Sequence, residues 1–283
     1  MIYAIANEKL QVKVNSYGAE IVSVQYEGKE RFWQNETGEW AGHSPVLFPL
    51  CGHFGITVDG KTYPMKAHGF ARKCEFACTK QTETELAFTI SASEETKKYY
   101  PYDFVLTVIY TIEGNKLFAS YKVQNPAEKS LYFACGGHDA FATQSGDMSN
   151  YQITFDKEEH FLHYYHDDDG YLTGDTRDFG KGKTLVLPQD FLQGGATLIF
   201  KDMQNSKVTL CETNGKKLAS LTFEGFDNLL LWREDNGAFI CIEPWTNLPD
   251  LVGAEDVELC QKAGVIEVQG GQEKTVTRIM EWF

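Results

Sequence analysis

Apolar and polar residues alternate along most of the chain with a period of two. Leu10, Val12 and Val14 alternate with polar residues, and longer runs of the same kind recur as far as the C-terminus. A period of two is typical of a β-strand with one buried face, because successive side chains point to opposite faces. The pattern predicts strands at 10–14, 21–24, 86–90, 104–112, 117–123, 131–135, 207–210, 218–223, 228–232, 239–243 and 275–282.

Helical periodicity is scarce by comparison, and short helices are predicted only at 94–99 and 254–262. Two of the strands are joined by the polar segment 113–115, which contains a glycine and predicts a β-hairpin. Many closely spaced strands with few helices predict an all-β fold, an antiparallel sandwich or barrel. No Ser/Pro/Gly-rich stretch separates two halves, so residues 1–283 are predicted to form a single domain.

Charge and composition exclude several classes of protein. The 26 Lys and Arg against 40 Asp and Glu give a net charge of −14, with no basic run, so neither a nucleic acid nor an anionic membrane is an expected partner. The chain lacks both an apolar run long enough to span a bilayer and the features of a secretory signal. Its seven scattered cysteines do not form a disulfide framework of the usual kind. A reduced, soluble, cytoplasmic protein is therefore expected.

Two polar residues at strand ends are candidates for acid–base chemistry. His138 follows a glycine pair directly after a predicted strand, and imidazole is suited to proton transfer near neutral pH. Glu243 ends strand 239–243 immediately before Pro244, which favours extended backbone there. Apolar neighbours would desolvate this carboxylate and raise its pKa, as a general base requires. The alternatives are a histidine that caps a sheet edge and a carboxylate exposed to water.

A histidine-rich segment at 158–170 has the composition of a metal site. His160, His163 and His166 would cluster only loosely on one helical face, and the aspartates that follow lack a twelve-residue calcium loop. A charged, solvated loop beside the cleft is the favoured interpretation. No metal ion and no cofactor are predicted.

Taken together, several segments resemble the aldose 1-epimerase (galactose mutarotase-like) superfamily, and within it the LacX-like branch. They occur in family order along nearly the whole chain. The segments are Trp33 and Trp40, then 44–52, His68-Gly-Phe-Ala-Arg72, Gly136-Gly-His138-Asp-Ala-Phe141, Ile242-Glu243-Pro244-Trp245-Thr-Asn247, 264–268 and 270–273.

The resemblance implies a β-supersandwich and a metal-free mechanism. Glu243 would take the proton of the anomeric hydroxyl while His138 protonates the ring oxygen, and each would stabilise the other's charged form. The ring would open to the aldehyde, rotate about C1–C2 and close from the other face. His68 and Arg72 would bind the ring-oxygen side or the hydroxyls, and Trp245 would offer an apolar face to the sugar.

Two positions depart from the family pattern. His53 stands where family members commonly have Arg, and Asp139 stands where Pro usually follows the Gly-Gly-His motif. Replacing a fixed fork of donors by an imidazole would alter sugar selectivity or binding. Asp139 would either raise the pKa of His138 or face solvent. Both residues are counted with the predicted sugar-binding residues.

Three functions remain open at this stage. The first is a mutarotase acting on a free aldohexose or related sugar, and the second is a hexose-6-phosphate mutarotase. Phosphate binding favours arginine clusters, and the five arginines of this acidic chain make the second weaker. The third is a non-catalytic carbohydrate-binding or sensing protein on the same scaffold. The expected partner is a small sugar, and the expected state is a monomer or homodimer.

Overall fold

Antiparallel β-strands make up most of the fold. The computed structural model describes residues 1–187, 196–254 and 256–283. The strands are β1 (Ile2–Ala6), β2 (Leu10–Asn15), β3 (Glu20–Tyr26), β4 (Lys29–Glu30), β5 (Ile56–Val58), β6 (Lys61–Tyr63), β7 (Ala77–Gln81), β8 (Glu85–Ser91), β9 (Val105–Glu113), β10 (Lys116–Gln124), β11 (Leu131–Phe133), β12 (Asp139–Ala142), β13 (Tyr151–His166), β14 (Leu172–Val186), β15 (Thr197–Phe200), β16 (Lys207–Glu212), β17 (Lys217–Thr222), β18 (Asn228–Trp232), β19 (Phe239–Trp245), β20 (Ile266–Val268) and β21 (Glu273–Trp282).

One large sheet dominates the described part of the chain. Its strands follow the order β12-β19-β18-β15-β13-β16-β17-β21-β10-β9-β8-β7, with β14 added beside β13. A second sheet, β1-β2-β3-β4, packs on the large one: Tyr3 meets Phe88 edge-on at 5.4 Å between ring centroids, and the Tyr110 hydroxyl donates to the Ala19 carbonyl at 2.7 Å. The predicted all-β, supersandwich-like fold is confirmed.

The β9–β10 hairpin forms where the sequence predicts it. Glu113 pairs with Lys116, so the turn is Gly114-Asn115, and Gly114 adopts a φ of 57°. Alternate residues of β9 are buried from Leu106 onward. The other side of β10 pairs with β21, which places the C-terminal strand inside the large sheet.

The prediction of a solvated loop at 158–170 is wrong, because most of this segment belongs to the long β13–β14 hairpin. Odd-numbered residues of β13 face inward over most of its length, but Glu159 and His163 occupy two of these inward positions. Glu159 is satisfied there by the backbone N–H groups of Gln204 and Asn205. Polar residues at buried positions interrupt the apolar alternation that would otherwise have predicted the strand.

The two predicted helices reduce to single 3₁₀ turns, Thr96–Lys98 and Leu259–Gln261; residue 255 of the second segment lies outside the described residues. Segments this short gain too few intrahelical hydrogen bonds to offset helix nucleation. Two further 3₁₀ turns are Ala71–Lys73 and Met148–Asn150. Within the described ranges, no helix has the length and apolar character needed to cross a membrane.

Candidate active site

The register between β12 and β19 brings His138 and Glu243 together. Asp139 pairs with Ile242 and Ala140 with Cys241. One further step in this antiparallel register sets His138, just before β12, opposite Glu243. Side chains opposite each other in such a pair lie on the same face of the sheet, so His138 shares a face with both Cys241 and Glu243.

These two side chains form a close, buried pair. His138 Nε2 lies 3.4 Å from Glu243 Oε1, and the residues are 9% and 1% exposed. Burial, helped by the negative charge of Asp139, raises the pKa of Glu243 well above its ordinary value. Burial, helped by the positive charge of Arg72, lowers the pKa of His138 to about 4.

Burial therefore outweighs the mutual attraction expected from the sequence, and both groups favour their neutral forms. A carboxylic acid beside a neutral imidazole carries the same number of protons as a carboxylate beside an imidazolium. Each of these two forms carries one proton more than a carboxylate beside a neutral imidazole, so they differ only in which group holds that proton.

Aromatic rings enclose His138. Trp40 stacks on its ring with centroids 5.1 Å apart and an interplanar angle of 25°, and Trp232 meets it edge-on at 5.5 Å. Phe239 stacks in turn on Trp40 at 5.7 Å. Sequence reasoning gave no role to Trp232, although its place at the end of a strand beside 239–243 was a usable signal. Both tryptophans are half-buried and present apolar surface next to the pair.

His68 joins the same site. Its ring centroid lies 5.7 Å from that of His138 and 5.3 Å from that of Trp245. The Gly52 N–H donates to His68 Nδ1 at 3.1 Å, so the neutral ring carries its proton on Nε2 and can donate from there. Burial comes first, and repulsion from Arg72 and from the charged forms of His138 and His53 adds to it; together they lower the pKa of His68 well below its ordinary value.

Arg72 and His53 flank this centre. Arg72 lies on the 3₁₀ turn after His68, and its Nη2 donates to the Ala67 carbonyl at 3.0 Å. His53 contacts the Tyr171 ring edge-on at 5.5 Å. Each is near enough to His68 to contribute to its lowered pKa, and Arg72 also helps to lower the pKa of His138.

Trp245 lies beneath the pair rather than openly beside it. It is 4% exposed, and its Nε1 donates to the Gly137 carbonyl at 3.2 Å. A Cβ at Gly136 would lie 2.6 Å from the Trp245 ring, so the Gly-Gly backbone approaches the indole more closely than another residue could. The indole supports the backbone that carries His138.

The alternative in which Asp139 faces solvent is wrong, because its side chain is fully buried. Arg278 binds it with two hydrogen bonds, Nε to Oδ2 at 2.7 Å and Nη2 to Oδ1 at 2.9 Å, and the Ser44 hydroxyl also donates to Oδ1. With both oxygens engaged in the core, Asp139 offers no free acceptor to a sugar. The sequence signal missed was Arg278 itself, a charged residue at an inward position of β21.

A group of side chains with metal-ligand atoms also lies here. One such atom each from His138, Cys241 and Glu243 fall within 4.8 Å of one another. The histidines of β13, by contrast, have separate partners: His160 pairs with Asp178 at 3.0 Å, His163 Nδ1 accepts from the Ile199 N–H, and His166 Nδ1 lies 2.7 Å from the Asp167 carbonyl oxygen.

Comparison with known proteins agrees with the family resemblance of the sequence motifs. The family model described as aldose 1-epimerase matches residues 1–248. Protein LacX, chromosomal, of Lactococcus lactis subsp. lactis is 28% identical over 267 residues, which cover 88% of each chain.

Two solved structures are similar over the full chain. A galactose mutarotase-like protein from Lactobacillus casei is 27% identical with a TM-score of 0.89, and covers 100% of both chains. A galactose mutarotase related enzyme from Lactobacillus acidophilus is 26% identical with a TM-score of 0.88, covering 100% of this chain and 97% of the other. These likenesses confirm the family predicted from the motifs.

Proposed function

Since this chain belongs to the aldose 1-epimerase family, we propose that it is a mutarotase that interconverts the α and β anomers of a free aldohexose or a related sugar. The observation that carries the proposal is the buried pair of Glu243 and His138, with Nε2 and Oε1 3.4 Å apart. In a pyranose, the anomeric hydroxyl oxygen and the ring oxygen are bonded to the same carbon. Two catalytic atoms this close can therefore reach both oxygens at once.

In the proposed reaction, one proton enters the pair as another leaves. Glu243, as carboxylate, accepts the proton of the anomeric hydroxyl, while His138, as imidazolium, donates a proton to the ring oxygen. The bond between C1 and the ring oxygen breaks, and C1 becomes the aldehyde carbon. After rotation about C1–C2, the same transfers in reverse close the ring on the other face, so no net proton is consumed. Hydrogen bonds between the sugar oxygens and the two groups favour the ionic form of the pair, the Glu243 carboxylate beside the His138 imidazolium, from which the reaction begins.

The neighbouring residues position the sugar and the acid. Trp40 holds the imidazole plane by stacking, and Trp232 adds apolar surface for the C–H faces of a pyranose. His68 offers an Nε2–H donor, and Arg72 a guanidinium, to sugar oxygens. Asp139, in contrast, acts through Arg278 as a positioning residue and does not touch the sugar.

The arginine positions favour an unphosphorylated substrate. Arg278 is paired with Asp139 in the core, and Arg233 is buried and bonded to the Gly146 carbonyl. Arg31 and Arg177 lie over the rings of Tyr26 and Phe179. Of the five arginines, all of them described, this leaves Arg72 beside the catalytic pair, where a 6-phosphate would ordinarily be bound by several.

Polarimetry of freshly dissolved α-D-glucose and α-D-galactose tests the proposal. The wild type should accelerate mutarotation, and Glu243→Gln and His138→Ala should each lose about 10²-fold or more of the enzymatic rate, the range typical of an acid or base. His160→Asn, an exposed histidine on β13, is the matched control and should keep the rate.

The outcomes separate the three functions. If Glu243→Gln keeps the wild-type rate and a native thermal transition, the catalytic assignment fails. If the free sugars bind, as followed by tryptophan fluorescence, but no mutarotation is accelerated, the carbohydrate-binding alternative is favoured. Acceleration confined to glucose 6-phosphate would instead favour the phosphorylated substrate.

A further inference from the structure

Cys241 is a buried thiol in the site to which the acid–base mechanism assigns no part. It lies two residues before Glu243 on β19, so both side chains leave the same face of the sheet. Its side chain is fully buried, and it packs with Trp33, Ala140 and Phe239. A soft sulfur ligand thus stands beside an imidazole nitrogen and a carboxylate oxygen.

The spacing of these atoms fits a tetrahedral metal site. Zinc bonds to nitrogen and oxygen of about 2.0–2.2 Å set those two ligand atoms about 3.4 Å apart at the tetrahedral angle. His138 Nε2 and Glu243 Oε1 are 3.4 Å apart, which is long for a hydrogen bond. A zinc–sulfur bond of about 2.3 Å requires a separation of about 3.6 Å from the other ligands. One ligand atom each of His138, Cys241 and Glu243 lie within 4.8 Å of one another, so the sulfur must approach the other two ligand atoms by at most about 1.2 Å.

We propose that His138, Cys241 and Glu243 form a binding site for Zn²⁺ or a cation of similar softness, and that its occupancy inhibits the enzyme. The inhibition rests on the proposed function, since the ion would occupy both atoms that transfer protons; the binding itself does not. Imidazole, thiolate and carboxylate are the ligand set of zinc, and a fourth position remains for water, whereas Mg²⁺ and Ca²⁺ prefer oxygen ligands.

Charge balance lowers the cost of placing the ion in so dry a site. The thiol and the carboxylic acid each release one proton to solvent, and the resulting thiolate and carboxylate neutralise the two positive charges of the cation. The neutral imidazole completes the set without adding charge. No net charge is buried, and no oxidant or reductant is needed.

The surroundings of His138 predict binding that a chelator can reverse. Metal-bound histidines usually donate their second ring N–H to an acceptor, and losing such a partner costs about 10–100-fold in affinity. Among the described residues, His138 Nδ1 has no hydrogen-bond partner on another residue, and stacking on Trp40 holds the ring instead. The site therefore lacks the outer hydrogen-bond partner that tight zinc sites share.

Cobalt spectroscopy tests the binding independently of catalysis. The reduced, EDTA-treated protein is titrated with Co²⁺ alone. The wild type should develop thiolate-to-cobalt charge-transfer absorption and the intense visible bands of four-coordinate Co²⁺, and Zn²⁺ should displace both. Cys241→Ala and Cys241→Ser should lose the charge-transfer band. Cys211→Ser is the matched control, because Cys211 is also a buried strand cysteine but lies on β16, four strands from β19 in sheet order.

An absent charge-transfer band in the wild type, or a band that survives in both folded Cys241 variants, would overturn the proposed site.

A second experiment tests the inhibition. Zn²⁺ should slow sugar mutarotation by the wild type, and EDTA should restore it. The zinc concentration for half-inhibition should rise about tenfold or more in Cys241→Ala, relative to that variant's own metal-free rate. A cobalt band in a protein whose metal-free form accelerates no mutarotation would leave the metal site standing while the proposed function fails. Mutarotation by a metal-free protein that develops no cobalt band would leave the proposed function standing while the metal site fails.

Discussion

At the scale of single residues, the ion pair of Asp139 and Arg278 lies in the core directly behind the candidate pair of His138 and Glu243. Both side chains are fully buried, and the Tyr121 hydroxyl accepts a further hydrogen bond from Arg278 Nη1 at 2.7 Å. Asp139 directly follows His138, and a Cβ at Gly137 would lie 2.5 Å from Arg278 Nε. The arginine therefore packs against the backbone that carries His138.

Breaking this pair from one side should be costly. Arg278→Met leaves a buried, unpaired carboxylate, and we expect it to lower the free energy of unfolding by about 3–5 kcal/mol. The measurement is urea unfolding followed by fluorescence. The double variant Asp139→Leu/Arg278→Met, which removes both charges, should recover most of that loss. A loss below about 1 kcal/mol in the single variant would show that the buried pair does not constrain the fold as argued.

Single residues also show that the sequence predicts candidate groups but not their partners in the fold. His138 and Glu243 were identified as candidates from strand ends and from family motifs, but their apposition depends on a register between strands about a hundred residues apart in sequence. Arg278 stands in a strand that the alternation predicted correctly. The inward position signals that it needs a buried partner, yet nothing local to β21 says that this partner is Asp139.

At the scale of elements, the local pattern predicted those strands whose inward positions are apolar, such as β9 and β10. It failed at β13, because Glu159 and His163 occupy inward positions there.

The segment that carries His68 depends on a contact between parts of the chain that are distant in sequence. Gly69 has a φ of 69°, and a Cβ there would lie only 2.1 Å from the Phe48 carbonyl oxygen. This close approach locks the loop before Arg72 against the stretch that precedes His53.

Gly69→Ala should therefore separate two site segments. Gly60→Ala is a matched control, because Gly60 has a φ of 73° but no atom of the described residues lies within 4 Å of the place that an added methyl group would take. Both variants bear the strain of a positive φ, so their difference measures the clash alone. We expect Gly69→Ala to be less stable than Gly60→Ala by about 1–3 kcal/mol, the usual cost of overpacking, and to mutarotate sugar more slowly. Equal unfolding free energies and rates would contradict a role for the close approach.

At the scale of the whole molecule, strands from distant parts of the chain share one sheet. The C-terminal strand β21 lies between β17 and β10, and the N-terminal sheet packs on β8 and β9 through Tyr3 and Tyr110. Strand β19, which carries Glu243, and β12, which begins directly after His138, continue the same sheet through β18 and β15. Withdrawing an interior strand of this sheet would expose backbone groups of its neighbours.

This continuity predicts that residues 1–283 unfold as one cooperative unit. Differential scanning calorimetry should give a single transition whose calorimetric enthalpy equals its van't Hoff enthalpy, since a two-state change populates no intermediate. A variant truncated after Gly271 would lose β21, leaving β10 and β17 with unpaired edges and Asp139 without Arg278. It should show no cooperative transition at all. Two resolved transitions in the full chain, or a native-like transition in the truncated one, would instead mean that the site and the C-terminal strand belong to separately folding units.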